Sequence, residues 1–264
     1  ADPDRGGAGF HSQWDAQFVH PIREMVIQAD DAGRSMEAVK TAITYRYEED
    51  ACNRVIYSES HDEVANGKAR VPQEINNDDP TGWHAQKRST LAAGLLFTSP
   101  GIPMIFQGQE FLQGEWFRDN VPLDWHMNEE YHGVARMYRD LIHLRLNRDG
   151  VSRGLCGQHV AVTHVNDEQN LIAFQRWDQH GDGDDVMVIA NCGYEVKEGY
   201  RIGMPQSGKW KLRFNSDASI YSDEFQNTFS THLTAKDEPQ DGLPASAEVT
   251  IAPYSVLVYS RDPS

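Results

Sequence analysis

The sequence is short of positive charge. Its 264 residues carry 24 Lys and Arg against 40 Asp and Glu, a formal net charge of −16. Nucleic acids and anionic lipid surfaces are held by clustered basic side chains, so this balance argues against both as partners. It suits a neutral ligand such as a polysaccharide. Long apolar runs are also missing. The longest, around Leu91 to Phe97, is interrupted by Gly94, so no membrane span is expected. Cysteine is scarce: Cys52, Cys156 and Cys192 are far apart and odd in number, with no CxxC pair. Neither a disulfide framework nor a zinc site is expected, and the three thiols read as free and buried. There is no HExxH pattern and no Walker-type glycine-rich loop, so no metal and no cofactor is implied. The chain opens Ala1-Asp2-Pro3-Asp4, with neither an initiator Met nor a charged-then-apolar leader. The expected location is the cytoplasm.

What is present centres on Val55-Ile56-Tyr57-Ser58-Glu59-Ser60-His61-Asp62-Glu63-Val64. Val55, Ile56 and Tyr57 are strand formers. Four ionisable residues then arrive within five positions, where a strand gives way to a loop. Parallel α/β sheets and barrels place their chemistry there, at the carboxyl ends of strands. An imidazole beside a carboxylate holds a polar substrate and stabilises a developing cation. A solvated loop with a chance His–Asp pair is the alternative.

The elements around this stretch alternate. Phe18, Ile22, Met25, Val26 and Ala29 recur at helical spacing, with Pro21 placing the start of the helix proper near itself. Ser35 caps a second helix carrying Met36, Val39, Ala42 and Ile43. A strand follows over 54–58. Residues 65–82 read as a long polar loop in which Lys68 and Arg70 are solvated charges, with substrate contact as the alternative. A helix over 83–97 stops at Ser99-Pro100-Gly101, and a short strand over 102–106 turns at Gln107-Gly108-Gln109-Glu110. Glu110 is either an acid that orients substrate or a loop hydrogen-bonding residue. Trp116, Phe117 and Trp125 offer faces for stacking or for the core. An amphipathic helix over 131–146 presents Val134, Met137, Tyr138, Leu141 and Ile142, with Arg145 at the edge of the stripe. Beyond about residue 150 the segments become short and β-branched: 160–165, 171–177, 186–191, 200–204, 210–214, 248–251 and 255–260. That pattern predicts an antiparallel β-sandwich, with 217–247 a polar insert read as loop.

Ser60-His61-Asp62-Glu63-Val64, with Gly67-Lys68 just beyond, resembles a short sequence region of the α-amylase superfamily, glycoside hydrolase family 13. Gly101-Ile102-Pro103-Met104-Ile105-Phe106-Gln107-Gly108-Gln109-Glu110-Phe111 resembles the next one. Arg176-Trp177-Asp178, Val186–Asn191, Tyr200–Pro205, Lys209–Asp217 and Ile251–Val258 resemble the family's carboxyl-terminal β-domain, in the variety found in glucan branching enzymes. The resemblance runs from about residue 9 to 260. It implies an α/β plus all-β chain. Residues 1–150 would be the carboxyl-terminal part of a (β/α)8 TIM barrel, about strands six to eight. Residues 151–264 would be the β-sandwich. Strand six would end at Trp14-Asp15.

The family retains anomeric configuration. It uses an Asp nucleophile at strand four and a Glu acid/base at strand five. Both motifs belong upstream of strand six, and neither is matched within residues 1–50; Asp15 and Glu24 sit in no matching context. Asp62 would be the third carboxylate, stabilising the oxocarbenium-like ring, and His61 would bind the same sugar. Trp14, Lys68, Glu110 and Trp116 are further candidates for contact with the substrate, an α-glucan polysaccharide. The chain alone is expected to be inactive, to belong to a larger enzyme, and to pair with the missing half of the barrel or with itself. Another hydrolase or transglycosylase of the superfamily, or a non-catalytic glucan-binding piece, is the alternative.

Overall fold

The computed structural model describes residues 8–65, 67–226 and 228–263. Residues 1–7, Asn66, Asn227 and Ser264 lie outside the described residues.

Three short strands, β1 (Gln13–Trp14), β2 (Arg54–Ile56) and β3 (Ile102–Pro103), form a parallel sheet in that order. Trp14 pairs with Val55, and Ile56 with Pro103. Parallel neighbours need long crossovers, and helices supply them. Between β1 and β2 run α1 (Ala16–Ile27) and α2 (Met36–Thr44); between β2 and β3 run α3 (Val71–Ile75) and α4 (Trp83–Thr98); α5 (Trp125–Glu130) and α6 (His132–Arg145) follow β3.

Local chemistry sets where these helices begin. The Asp15 carboxylate accepts from Gln17 N at 2.9 Å, so α1 starts at Ala16. Pro21 therefore lies inside the helix, not in its first turn as the sequence suggests; burial of Phe18, Val19, Ile22, Met25 and Val26 on one face holds the helix together across it. Ser35 caps α2 as expected, accepting from Ala38 N at 3.2 Å. The polar stretch 65–82 is not all loop. Pro72 opens the short helix α3, which buries Val71, Pro72 and Ile75. Helix α4 is buried from Ala85 to Thr98, so it is covered on every side. On α6 the predicted stripe of Val134, Met137, Tyr138 and Leu141 is buried, with Ile142 and Arg145 at its margin.

Among the described residues, eight further strands are antiparallel: β4 (His159–Asn166), β5 (Leu171–Trp177), β6 (Val186–Asn191), β7 (Lys197–Met204), β8 (Gly208–Asn215), β9 (Leu233–Ala235), β10 (Ala245–Ile251) and β11 (Ser255–Ser260). Strand β9 falls within the stretch read as loop. Its Leu233 and Ala235 are buried and extend the sheet beside β8. The main sheet runs β4-β5-β6-β11-β8-β9, and β7 and β10 form a second, two-stranded sheet.

Alternation along the strands sorts the core into two layers. Ile172, Phe174, Val186, Val188, Ala190, Val256 and Val258 face the helices. Leu171, Ala173, Met187, Ile189, Leu257 and Tyr259 face Ile202, Met204, Val249 and Ile251 of the second sheet. The main sheet is thus buried on both sides, and its helix-facing core is continuous with that of α1, α2, α4 and α6.

Polar pins cross the same boundary. Lys87 of α4 reaches Asp217, beyond β8, at 2.6 Å with both side chains buried. Arg176 of β5 is fully buried and donates to the carbonyl oxygens of Thr98, Leu155, Gly157 and His159. The cysteines depart from expectation: all three are free, but only Cys192 is buried, while Cys52 and Cys156 are exposed. They lie at the margins of the core rather than within it.

Gly133 shows how closely α6 meets the later chain. A Cβ there would stand 2.2 Å from the carbonyl oxygen of Tyr221. Gly133→Ala is therefore expected to destabilise the protein by about 1–3 kcal/mol through overpacking, despite alanine's better helix propensity. A urea unfolding midpoint equal to or above that of wild type would refute the assignment of a backbone contact.

Candidate functional site

Strand β2 delivers its polar cluster onto a turn anchored from below. The carbonyl oxygen of Ser58 accepts from Arg23 Nη1 at 3.0 Å, and its hydroxyl accepts from Gln109 Nε2 at 2.6 Å. Glu59 is fully buried. Its Oε1 accepts from Val71 N at 2.7 Å and its Oε2 from Arg70 Nη1 at 3.3 Å. Burial pushes the Glu59 carboxyl up from its ordinary range, while Arg70 and the Val71 N–H pull it down. Arg70 also donates to Gln107 O at 2.9 Å and lies over the Phe106 ring. The solvated charge expected at Arg70 is thus a buried strut, because the carboxylate it neutralises is itself buried.

Above this base the chain turns, with Glu63 N and Val64 N donating to Ser60 O at 3.1 Å. The turn lifts His61 and Asp62 to the surface, with side chains 55% and 73% exposed. His61 Nε2 stands 3.3 Å from Asp62 Oδ1. Trp14, at the end of β1, packs edge-on against His61 and Tyr57, with ring centroids 5.5 and 5.4 Å away. The ends of two neighbouring parallel strands therefore bring Trp14, Tyr57, His61 and Asp62 together.

Tyr57 was legible only as a strand former. It is buried, and its phenol pKa is raised by that burial, then by Glu63, Asp62 and Asp15. Asp15 is occupied elsewhere. It is buried, caps α1, pairs with Arg54 at 3.0 Å and accepts from the Tyr47 hydroxyl at 3.0 Å. Burial and Asp15 together push the Tyr47 phenol up to about 12.

The other sequence-predicted residues lie around this cluster. Lys68 is exposed, and its side chain has no partner among the described residues. Glu110 sits on the 3-10 turn Gln109–Phe111; its Oε2 is buried and has no hydrogen-bond partner among the described residues. Trp116 is exposed, with the Arg118 guanidinium 5.4 Å from its ring. Its loop is tied to the turn after β2: Phe117 N donates to Val64 O at 2.5 Å and Arg70 N to Glu115 O at 3.0 Å. Trp116, Phe117, Arg70 and Gln107 line one small cleft there.

Chemically, the arrangement offers a carboxylate and an imidazole for hydroxyl groups, and aromatic edges and faces for apolar ring surfaces. Among the described residues, no group of three or more His, Cys, Asp and Glu is placed to hold a metal ion. No helix among them is long and apolar enough to cross a membrane.

Residues 162–262 match the family model of the alpha amylase C-terminal all-beta domain. Over 98% of its length the chain is 30% identical to a 1,4-alpha-glucan branching enzyme of Xanthomonas campestris pv. campestris (strain 8004), covering 35% of that protein. A branching enzyme of Pseudomonas syringae pv. tomato is 28% identical over 97% of the chain and 34% of its own length. The chain thus spans about a third of the length of the curated relatives it matches. Among solved structures, an Anoxybacillus pullulanase complexed with maltotetraose superposes with a TM-score of 0.62 at 16% identity, over 95% of this chain and 35% of that one. An alpha-amylase from H.orenii gives 0.60 at 17% identity, over 96% and 49%. Those two likenesses concern the fold. Residues 162–262 thus carry an alpha amylase C-terminal all-beta domain, and nearly the whole chain is similar to a portion of 1,4-alpha-glucan branching enzymes.

Proposed function

We propose that this chain is part of a retaining 1,4-α-glucan branching enzyme, with residues 1–150 the last three strand–helix units of a (β/α)8 barrel and residues 151–264 its β-sandwich. The observation that carries the reading is the meeting of Trp14, His61 and Asp62 where β1 and β2 end, in a chain whose relatives are branching enzymes. In this reading Asp62 holds sugar hydroxyls and favours the flattened, cationic ring, while His61 binds the same sugar. Trp14 supports the imidazole, and Trp116, Lys68 and Glu110 contact the glucan further out. The nucleophile and the acid/base come from barrel strands four and five, outside this chain. The glycosyl unit is cleaved from an α-1,4 bond, held covalently, and passed to a 6-hydroxyl.

Two features support a larger enzyme. Strands β1 and β3 are each paired on one side only among the described residues. Trp14 and Ile102 on those strands remain exposed. The missing part of the barrel, or a second copy of the chain, is the partner that covers them. An acidic, nucleic-acid-averse surface and three free thiols fit a cytoplasmic enzyme acting on neutral polysaccharide. The reading uses no metal or cofactor.

The test is product analysis with the complete enzyme and amylose as substrate. New α-1,6 linkages by proton NMR, without matching growth in reducing ends, are expected. New reducing ends without α-1,6 linkages would make it a hydrolase of the superfamily, and no turnover of either kind would favour a non-catalytic glucan-binding piece.

A further inference from the structure

The parallel ladder stops short of the strand-end site. Among the described residues, the last backbone bond of the β2–β3 ladder runs from Met104 N to Ile56 O at 2.9 Å. Beyond it both strands end, and the turn that carries His61 and Asp62 is held against its neighbour by side chains. One buried side chain spans the gap at Ser58. Gln109 donates through Nε2 to the Ser58 hydroxyl at 2.6 Å, and its Oε1 accepts from Phe106 N at 3.1 Å. Gln109 is 8% exposed and Ser58 is fully buried. Both ends of the amide are committed, and chemistry fixes its orientation. The backbone N–H needs the amide oxygen, which leaves the NH2 for the hydroxyl.

The 3-10 turn Gln109–Phe111 is shaped to present this side chain. Gly108 and Leu112 flank it with positive φ, 84° and 60°. Gln113 N donates back to Gly108 O at 2.9 Å, closing the turn on itself. A Cβ at Gly108 would stand 2.7 Å from Gln113 Cβ, so glycine is required there. Leu112 has no such freedom. A branched side chain in the left-handed region persists where the surroundings over-determine it, and such positions gather at functional sites. Helix α6 packs against the same turn. Gln109 is therefore a fixed brace from the β3 side, while Arg23 and the Glu59–Arg70 pair hold the turn after β2 from the side of α1 and α3.

The consequence falls on Asp62. His61 and Asp62 are exposed, so their position is set from beneath, by the turn that begins at Ser58. An electrostatic group stabilises a transition state where its charge meets the charge that develops there. A displacement of about 1 Å is enough to cost about 10²-fold in rate.

We infer that Gln109 is a positioning residue for the reaction: acting through Ser58, it holds the turn so that Asp62 meets the cationic sugar ring. The role given to Asp62 rests on the function proposed above; the brace rests on the two hydrogen bonds of Gln109.

The experiment compares Gln109→Leu, Ser58→Ala and the double variant in the complete enzyme. Gln109→Leu keeps the bulk of the side chain and loses both hydrogen bonds. Ser58→Ala loses the bridge alone, and carries the test if Gln109→Leu does not fold. With amylose as substrate, either single variant should lower kcat about ten- to 10²-fold and move KM by no more than about twofold. The double variant should be no worse than about twofold below the weaker single, because the two side chains act through one bond. Calorimetry separates positioning from a general loss of structure. 1-Deoxynojirimycin, a protonated mimic of the cationic ring, should bind the variants about tenfold more weakly, and neutral maltoheptaose should bind as it does to wild type. Equal weakening of both ligands, an unchanged kcat in a folded single variant, or losses that multiply in the double would overturn the role. If the wild-type enzyme forms no α-1,6 linkages while the variants still discriminate between the two ligands, the branching reading fails and the brace stands. If the enzyme branches and the variants match it in kcat and in both affinities, the brace fails and the branching reading stands.

Discussion

Asp62→Asn in the complete enzyme is expected to abolish turnover for practical purposes, with a loss of about 10²–10³-fold or more, the scale of removing one preorganised electrostatic group from a transition state. The substitution keeps the shape of the side chain and removes its charge. A cationic sugar ring is stabilised by that charge; a ground-state sugar is held nearly as well by an amide. The loss should therefore fall on kcat more than on KM. Folding should be untouched, because Asp62 is 73% exposed and its carboxylate is faced by the neighbouring, exposed His61, and exposed substitutions of this kind shift stability by about 0.5 kcal/mol or less. Initial rates of α-1,6 linkage formation and a thermal melt test both halves. Activity above about a tenth of wild type would remove Asp62 from the role proposed for it, since even a modest electrostatic contribution exceeds that.

Arg70→Met should be the most damaging single change for the stability of the strand-end turn. It leaves the buried Glu59 carboxylate with Val71 N–H but without its cation. Breaking a buried ion pair from one side costs about 3–5 kcal/mol. The sign of the pH dependence follows from Glu59. Its pKa is already raised by burial against the pull of Arg70, and removing Arg70 raises it further. A carboxyl group with a raised folded-state pKa binds more protons folded than unfolded. It favours folding below the unfolded pKa, about 4.3, and that contribution is lost as pH rises through the folded value. The variant's deficit relative to wild type should therefore be largest at neutral pH and shrink on acidification. Glu59→Gln combined with Arg70→Met should recover much of the loss, because no charge is then stranded. Urea unfolding at several pH values reads all of this. A deficit independent of pH would mean that Arg70 acts through packing on Phe106 rather than through Glu59.

Arg70 also shows why part of the site was hidden in the sequence. Arginine in a polar stretch rich in Asn, Asp and Pro is ordinarily solvated. Only when α3 folds back on the end of β2 does Arg70 find a buried carboxylate eleven residues away. Tyr57 was legible as a strand residue, but its contact with Trp14 arises from the pairing of β1 with β2. Glu110 remained ambiguous because its environment depends on how the 3-10 turn after β3 meets α6 and Arg70.

The sequence by itself determined the alternation of strand and helix up to residue 150 and the antiparallel strands beyond it. Periodicity is local: Leu171–Trp177, Val186–Asn191 and Ser255–Ser260 fold as strands with the bounds their patterns suggest. The sequence also placed His61 and Asp62 at a strand end, because a strand that breaks into charge ends there whatever surrounds it. Tertiary structure decided which groups stand together. Residues far apart in the chain meet only through strand order and helix packing: Trp14 with His61, Arg70 with Glu59, and Tyr194 with His84. It also decided that Pro21 lies inside α1, that α3 and β9 form within polar stretches, and that the main sheet is buried on both faces. The physical reason is common to these cases. Hydrophobic burial and the neutralisation of buried charge act between elements, and no short window of sequence contains both partners.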